Sequence, residues 1–513
     1  MSEVNPLPNG WVRASVRDVL APPTGWNPGG AETATIKYVD IEAVDNKRQR
    51  IGAPKEIPIS GLPSRARVGI KSGDVLFSLV RPYLKNIARV PQDLDGHVAS
   101  TAFVSLRPAS GMHTDFLFYQ LTQDNFIKAI PTYGNSPPAA RDEEFLDMQI
   151  PVAPPAEQQR IAAKIEELLS DLDAGVSALE HSRANLKRYR AAVLKAAVEG
   201  RLTEKWRAAH PGVETAEKLL ERILAERRKK WEEAQLKKFA EKKQAPPKGW
   251  KEKYSEPVKP EVAGLPKLPE GWCWATVDQV SVSIRYGSSA KTQEELNGVP
   301  VLRMGNIQDG RIDLSRLKHL PKKHEEFPEL FLEPGDVLFN RTNSPELVGK
   351  TAVYKGNPNP CSYASYLIGI RSVIGWEPDI LAYFINSSLG RAWIASVVSQ
   401  QVGQANVNGT KLAALAFPLP PAREQREVVK SVEEQISSLD QTGKDSEALI
   451  VRSARLRQSI LKRAFEGKLV PQDPTDEPAG ELLARIRAER AAQSVVGRGR
   501  GKIRKKIRQK TSE

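Results

Sequence analysis

The chain has 513 residues, 40% of them hydrophobic and 27% charged, with two cysteines and a formal net charge of +14. That is length for roughly three or four ordinary domains and a composition that excludes a mainly disordered chain; Cys273 and Cys361 lie too far apart for a zinc ribbon or a disulfide framework, and without an apolar run of about eighteen residues or a leader-like start a cytoplasmic protein with no membrane partner is expected. The charge excess is local, because residues 201–253 hold sixteen Lys/Arg against nine Glu, residues 494–513 hold eight against one Glu, and the remainder is balanced.

In chain order, residues 1–153 are rich in glycine, proline and short β-type runs such as Asp74–Val80 and Thr101–Leu106, bounded by turn formers such as Lys71-Ser72-Gly73. They read as a compact α+β domain. Region 154–202 reads as one long helix. Pro154-Pro155 opens it, Gly200 closes it, and Ile161, Ile165, Leu168, Leu172, Leu179, Leu186, Tyr189 and Val193 fall at heptad-type spacing. Residues 203–263 form a basic helical segment, with a helix over 216–227, and a linker. The texture then restarts. Residues 264–419 carry the strand runs Asp336–Phe339 and Tyr366–Ile370 of a second α+β domain. Region 420–469 is a second long helix with Val428, Val432, Ile436, Leu439, Leu456 and Ile460 on its seam, weaker around Gly443. Residues 470–493 hold a helix over 479–490, and 494–513 are a basic tail that reads as disordered.

Self-comparison explains the restart. Leu7-Pro8-Asn9-Gly10-Trp11 returns as Leu268-Pro269-Glu270-Gly271-Trp272, and Gly73-Asp74-Val75-Leu76-Phe77 as Gly335-Asp336-Val337-Leu338-Phe339. Pro154-Pro155-Ala156-Glu157-Gln158-Gln159-Arg160 returns at an offset of 266 as Pro420-Pro421-Ala422-Arg423-Glu424-Gln425-Arg426, and the Glu199-Gly200-Arg201-Leu202 closure returns at 267. The chain is therefore two copies of one plan. A 40-residue helix spans about 60 Å, more than a globular domain needs. Each helix either packs on its own domain or the two cover each other, and equal lengths favour antiparallel pairing. The expected fold is α+β, two globular domains in tandem repeat separated by two long helices that pair as an antiparallel coiled coil.

This order of duplicated motifs resembles the specificity subunits of type I restriction-modification systems, across nearly the whole chain short of the tail. The Val80-Arg81-Pro82-Tyr83-Leu84-Lys85-Asn86 run and the Gly349-Lys350-Thr351-Ala352-Val353 segment share in it. The resemblance implies that each globular unit is a target recognition domain reading one half of an asymmetric, interrupted double-stranded DNA site. It implies that the helices set the gap and dock two methyltransferase subunits, joined by two motor/nuclease subunits where these exist. No cofactor is expected on this chain, since S-adenosylmethionine, ATP and magnesium belong to the partners. Two rigidly spaced domains suit two half-sites at a fixed separation.

No catalytic residue is proposed. Val348-Gly349-Lys350-Thr351 has Ser344 where a P-loop needs its first glycine. Asn357-Pro358-Asn359-Pro360 only mimics the Asn/Asp-Pro-Pro-aromatic motif of adenine methyltransferases and reads as a turn. His319 and His324 are poorly spaced as a metal pair. A self-sufficient enzyme with an unrecognised site and a scaffold that binds only protein remain open at this point.

Arginine pairs bidentately with guanine, and asparagine or glutamine with adenine. On that chemistry the DNA-contact candidates in the first copy are Arg81, Tyr83, Lys85 and Asn86, then Tyr133, Asn135, Ser136 and Arg141 in a Gly/Pro loop. In the second copy they are Arg341, Asn343 and Ser344, then Gln400, Gln401, Gln404, Asn406, Asn408 and Lys411. Such residues also serve turns. The run Arg227-Arg228-Lys229-Lys230-Trp231 suits DNA phosphates, a partner subunit or a solvated helix face, and the tail suits either nonspecific hold on phosphates or no specific role.

Overall fold

The computed structural model describes residues 6–22, 35–294, 297–344, 347–401 and 404–492, so the basic tail lies outside the described residues. The chain divides into two compact units, one made of residues up to Leu179 together with those from Glu447, the other of Glu180–Ser446. Helix α1 (Pro155–Val198) and helix α3 (Ala422–Phe465) are each shared between the units, whereas helix α2 (Ala216–Glu241) lies wholly in the second. Among the described residues no helix is long and apolar enough to cross a membrane.

The first globular domain carries β1 (Val12–Ser15), β2 (Val75–Ser78), β3 (Ile87–Arg89), β4 (Phe103–Leu106) and β5 (Gln149–Val152). β1 pairs antiparallel with β5, while β2 lies between β4 and β3 in a five-stranded sheet beside a separate four-stranded one. The second domain repeats this with β6 (Cys273–Thr276), β7 (Ser281–Tyr286), β8 (Val337–Asn340), β9 (Thr342–Asn343), β10 (Thr351–Val353), β11 (Leu367–Ser372), β12 (Ser399–Gln401), β13 (Gln404–Asn406) and β14 (Ala416–Leu419). β6 pairs with β14 as β1 does with β5, and β7-β11-β8-β10 form its main sheet.

The repeated motifs are structural devices. In Gly-Asp-Val-Leu-Phe the glycine supplies a positive φ, 83° at Gly73 and 95° at Gly335, that a side chain resists. The aspartate is buried and takes a two-pronged arginine, Arg107 just after β4 or Arg371 within β11. Arg107 donates through Nε and Nη2 to Asp74, both at 2.8 Å, and Arg371 to Asp336 at 3.1 and 2.8 Å. The Val-Leu-Phe triplet is fully buried in both copies. At the helix entry Gln158 donates to the Ala153 carbonyl at 2.8 Å and accepts from the His113 amide at 2.9 Å. Gln425 does the same with Pro420 and Glu377, at 2.7 Å each. The two helices therefore align at an offset of 267, not the 266 that matching prolines suggests. Backbone pairing fixes the register, and one proline of the motif is displaced.

Both suggestions for the long helices hold within each unit. In the first, Ile161, Ile165 and Leu169 of α1 join Ile460, Leu461, Ala464 and Phe465 of α3 in one core with the globular domain. In the second, Leu194, Ala197 and Val198 of α1 meet Val428, Val432 and Ile436 of α3 in the core of the other domain. Start of one helix lies against end of the other, so the pairing is antiparallel. Fully burying such side chains is worth about 1.5–3 kcal/mol each.

The seam needs correction between these cores. Leu168, Leu172, Leu179, Leu186, Val193 and Leu439 are only half-buried, with Leu169 and Leu194 taking the buried places near the domains. Leu456 is 49% exposed and Tyr189 is 60% exposed, so neither belongs to the seam. The less exposed face of α3 runs Ile436, Leu439, Gly443, Ser446 in the second unit and Ile450, Ser453, Arg457, Ile460 in the first. Those heptad steps include glycine and serine, which allow a close approach, and one arginine. A Cβ on Gly443 would stand 3.4 Å from Leu186 Cδ1. Ion pairs flank this thin seam, Arg457 with Asp173 in the first unit and Arg190 with Asp440 in the second.

Residues after each helix close the unit they reach. After α1, the α2 residues Ala216, Leu219 and Ile223 enter the second core. After α3, Ala479, Leu482, Leu483 and Ile486 of the helical residues 479–492 enter the first. The Ala216 amide donates to Gly271 at 2.8 Å and the Ala479 amide to Gly10 at 2.9 Å. Helix α2 extends well beyond the 216–227 expected, and Trp231 stacks on Trp250 of the following linker, with ring centroids 5.9 Å apart.

Candidate nucleic-acid interface

The two candidate clusters in each domain lie far apart in sequence, and in both copies a short ladder joins them. In the first domain Val80 bridges Ala139, the Ala140 amide donates to Leu79 at 2.9 Å, and the Arg81 amide donates to Pro138 at 2.9 Å. In the second, β9 pairs with β13 so that Thr342 faces Asn406, and the Val407 amide donates to Arg341 at 3.0 Å. Positions 79, 80, 139 and 140 map onto 341, 342, 406 and 407 by the offsets of 262 and 267 that relate the copies. Main-chain hydrogen bonds fix this rim whatever side chains it bears, which frees the side chains for recognition.

On the first rim Arg81, with φ 50°, and Tyr83, 59% exposed, stand on a tight turn beside the loop that carries exposed Asn135 and Ser136. Arg141 lies 4.3 Å over the Tyr133 ring, and both contact Glu144: the tyrosine hydroxyl donates at 2.8 Å and the guanidinium at 3.3 Å. The hydrogen bond to Glu144 raises the Tyr133 pKa above the ordinary phenol value. Two first-copy candidates leave the set. Lys85 ion-pairs with Asp124 at 2.5 Å and donates to the Thr122 carbonyl at 3.0 Å, and Asn86 is only 7% exposed just before β3.

On the second rim β9, β13 and β12 form a three-stranded sheet that brings Asn343, Gln400, Gln401, Gln404 and Asn406 together, with Ser344 following β9. Asn406 accepts from the Thr342 hydroxyl at 3.2 Å. Asn408 and Lys411 have structural tasks instead: Asn408 caps the helix Gly409–Ala413 through the Lys411 amide at 2.8 Å, and the Lys411 ammonium donates to the Val397 carbonyl at 2.7 Å. Arg341 lies 4.7 Å over the Tyr286 ring, and its Nε is buried without an acceptor among the described residues.

Sequence reasoning missed Tyr286 and Tyr366. Tyr366 was assigned to a strand run, but β11 begins at Leu367 and leaves the tyrosine 50% exposed, its carbonyl accepting from the Arg341 amide at 3.0 Å. Tyr286 ends β7, an edge strand whose alternation carried no signal that the ring stays 45% exposed.

The basic run of α2 is partly structural. Arg227 turns inward to Asp278 at 2.9 Å, the Ser281 carbonyl at 3.1 Å and the Tyr254 hydroxyl at 2.7 Å. Its counterpart Arg490 likewise donates to the Arg17 and Leu20 carbonyls. Arg228 pairs with Glu232 and Lys229 with Glu226, while Lys230 has no acidic partner among the described residues.

No protein-family model matches the chain. It is 30% identical over 356 residues to the type I restriction enzyme EcoKI specificity subunit of Escherichia coli K12, covering 67% of this chain and 64% of that one, just under two thirds of its length. It is 26% identical over 419 residues to the StySPI specificity subunit of Salmonella potsdam, covering 78% and 76%. Among solved structures, a chain from work on complex assembly and conformational transition of a type I R-M system matches with a TM-score of 0.66 and 25% identity, over 90% of this chain and 99% of that one. The HsdS subunit of Thermoanaerobacter tengcongensis matches with a TM-score of 0.53 and 26% identity, over 91% and 100%.

Proposed function

Because the chain belongs to the family of type I restriction enzyme specificity subunits, we propose that it reads an asymmetric, bipartite double-stranded DNA site, one half per recognition domain, and performs no chemistry itself. The observation that carries this reading is the duplicated rim. The same main-chain ladder presents different polar and aromatic side chains in the two copies, as two unlike half-sites require. Each 44-residue helix, α1 or α3, rises about 66 Å and sets the gap between the halves.

The helices dock two methyltransferase subunits, which bring S-adenosylmethionine. Two motor/nuclease subunits, with ATP and magnesium, join where a restriction complex is made. Its place is the cytoplasm, where the DNA and these partners are. The test is to co-express the chain with its neighbouring methyltransferase gene and map N6-methyladenine genome-wide by single-molecule sequencing. A split motif with a fixed gap and one methylated adenine per half is expected. An uninterrupted motif would undo the two-domain reading, and absence of methylation would favour a protein-binding scaffold.

A further inference from the structure

We propose that Arg141 and Arg341 each read a guanine, one in each half-site, and that Tyr133 and Tyr286 hold them in the reading posture. This rests on the DNA-reading function proposed above and assigns two of its contacts. Both arginines sit on the paired-loop rim, and each guanidinium lies over an exposed tyrosine ring, at 4.3 Å for Arg141 on Tyr133 and 4.7 Å for Arg341 on Tyr286. The two pairs occupy non-equivalent positions in the repeat, so a shared scaffold does not explain them. Tyr133 and Arg141 share one loop, whereas Arg341 precedes β9 and Tyr286 ends β7.

Of the other stacked arginines among the described residues, three are tied to carboxylates at hydrogen-bonding distance, while Arg228, over Tyr254 at 5.3 Å, meets Glu232 and Glu256 only at 3.5 and 3.9 Å. Arg89 pairs with Asp115, Arg207 with the buried Glu424, and Arg227 with Asp278. The Arg141 side chain is 67% exposed and touches Glu144 through a single nitrogen, at 3.3 Å. Arg341 has no carboxylate partner among the described residues. Its Nη1 reaches the Ser365 carbonyl at a long 3.4 Å, and its Nε has no acceptor there. A guanidinium fork left with unused donors but fixed in plane by an aromatic face is pre-organised for the O6 and N7 acceptors of guanine. Less side-chain freedom is then lost on binding. Tyr133 is itself fixed by its hydroxyl on Glu144, and the Tyr286 hydroxyl accepts from the Gly409 amide at 2.9 Å.

The test uses the full chain co-expressed with its methyltransferase and read by N6-methyladenine sequencing. The wild-type motif should contain a G·C pair in each half. Arg141→Ala and Arg341→Ala should each make one such pair degenerate, by about tenfold or more in preference, in opposite halves, with the rest of the motif kept. Arg141→Lys and Arg341→Lys keep the charge but not the fork and should loosen the same positions. They also decide the matter if an alanine variant methylates nothing. Tyr133→Leu and Tyr286→Leu should weaken selectivity there, while Tyr133→Phe and Tyr286→Phe, which keep the ring but lose its hydroxyl anchor, should weaken it less. A lysine variant that retains the full motif, a half-site without a G·C pair, or lower methylation at an unchanged motif overturns the assignment for that arginine. A wild-type chain with no split motif instead sinks the underlying DNA-reading function, an outcome distinct from all of these.

Discussion

The Trp272 indole N–H donates to the buried carboxylate of Glu424 at 2.9 Å, and Trp11 makes the same bond to Glu157, also at 2.9 Å. The tryptophan closes a Leu-Pro-x-Gly-Trp motif and the glutamate lies in the first turn of a long helix, so the bond clamps each recognition domain to its own helix. The surroundings differ. Glu424 also receives Arg207 at 2.9 Å and Thr203 at 2.7 Å, both from the segment following α1.

Glu157 lacks such a close cation, and burial pushes its pKa above the usual carboxylate range, opposed by the Trp11 bond and by nearby Arg160. A carboxyl whose folded pKa is raised contributes stability that is fully present below its unfolded pKa and is lost as pH rises through the folded value. Glu157→Gln keeps an acceptor for Trp11 and removes the buried charge. It should therefore stabilise the first unit at pH 8 relative to wild type, with the difference vanishing toward pH 4. Urea denaturation at the two pH values checks this, and an equal effect at both would refute it.

Glu424→Gln should act in the opposite sense. It leaves Arg207, whose side chain is 22% exposed, without its partner. With allowance for that exposure, the loss should be about 2 kcal/mol at neutral pH. Glu424→Gln and Glu157→Gln shifting the denaturation midpoint the same way at pH 8 would contradict the different environments.

How much could be read in advance follows from which signals repetition and periodicity carry. The duplication was legible because ordered motifs recur at a nearly constant offset, and both long helices to within a few residues and the buried Val-Leu-Phe strands because each shows as a pattern of apolar residues. The middle of the seam was not. Gly443, Ser446 and Ser453 replace apolar residues there, and periodicity cannot see a close approach built from small side chains. Conversely, Tyr189 and Leu456 fit the period but face outward. At the rim, both loops were legible as polar clusters. What separated Arg141 from Lys85 or Asn86 was the tertiary environment: an acidic partner at Asp124, burial just before β3, or a ring underneath.

Tyr189 and Leu456 are equivalent under the offset of 267 and are among the more exposed large apolar residues of the two helices. One falls in each unit, as docking of two identical subunits would require. Tyr189→Asp and Leu456→Asp should each change the stability of the free chain by no more than about 0.5 kcal/mol. Each single variant should hold one methyltransferase subunit rather than two, and the double variant none. Mass photometry of the co-expressed complex counts them. Full assembly of the double variant would remove these positions from the docking face.

Each long helix ends on a glycine set against the opening motif of a domain. Gly467 ends α3 with φ +66°, and a Cβ there would stand 2.3 Å from Pro8 Cγ in the first unit. Gly200 ends α1 with φ +69°, and its Cβ would stand 2.6 Å from Pro269 Cγ in the second. Alanine at either site adds left-handed backbone strain of about 1 kcal/mol to an overpacking cost of about 1–3 kcal/mol. These two parts are separable. In Gly467→Ala the second substitution Pro8→Ala should recover the packing part and leave the backbone part. For Gly200→Ala, Pro269→Ala should recover only a share of the packing part, because the new methyl would also stand 2.7 Å from Arg207 Nη2. Thermal denaturation of the two double-mutant cycles measures this. A coupling energy near zero would mean that the proline is not what the new methyl group meets, and that the Leu-Pro-x-Gly-Trp and Glu-Gly-x-Leu motifs do not interlock as the geometry requires.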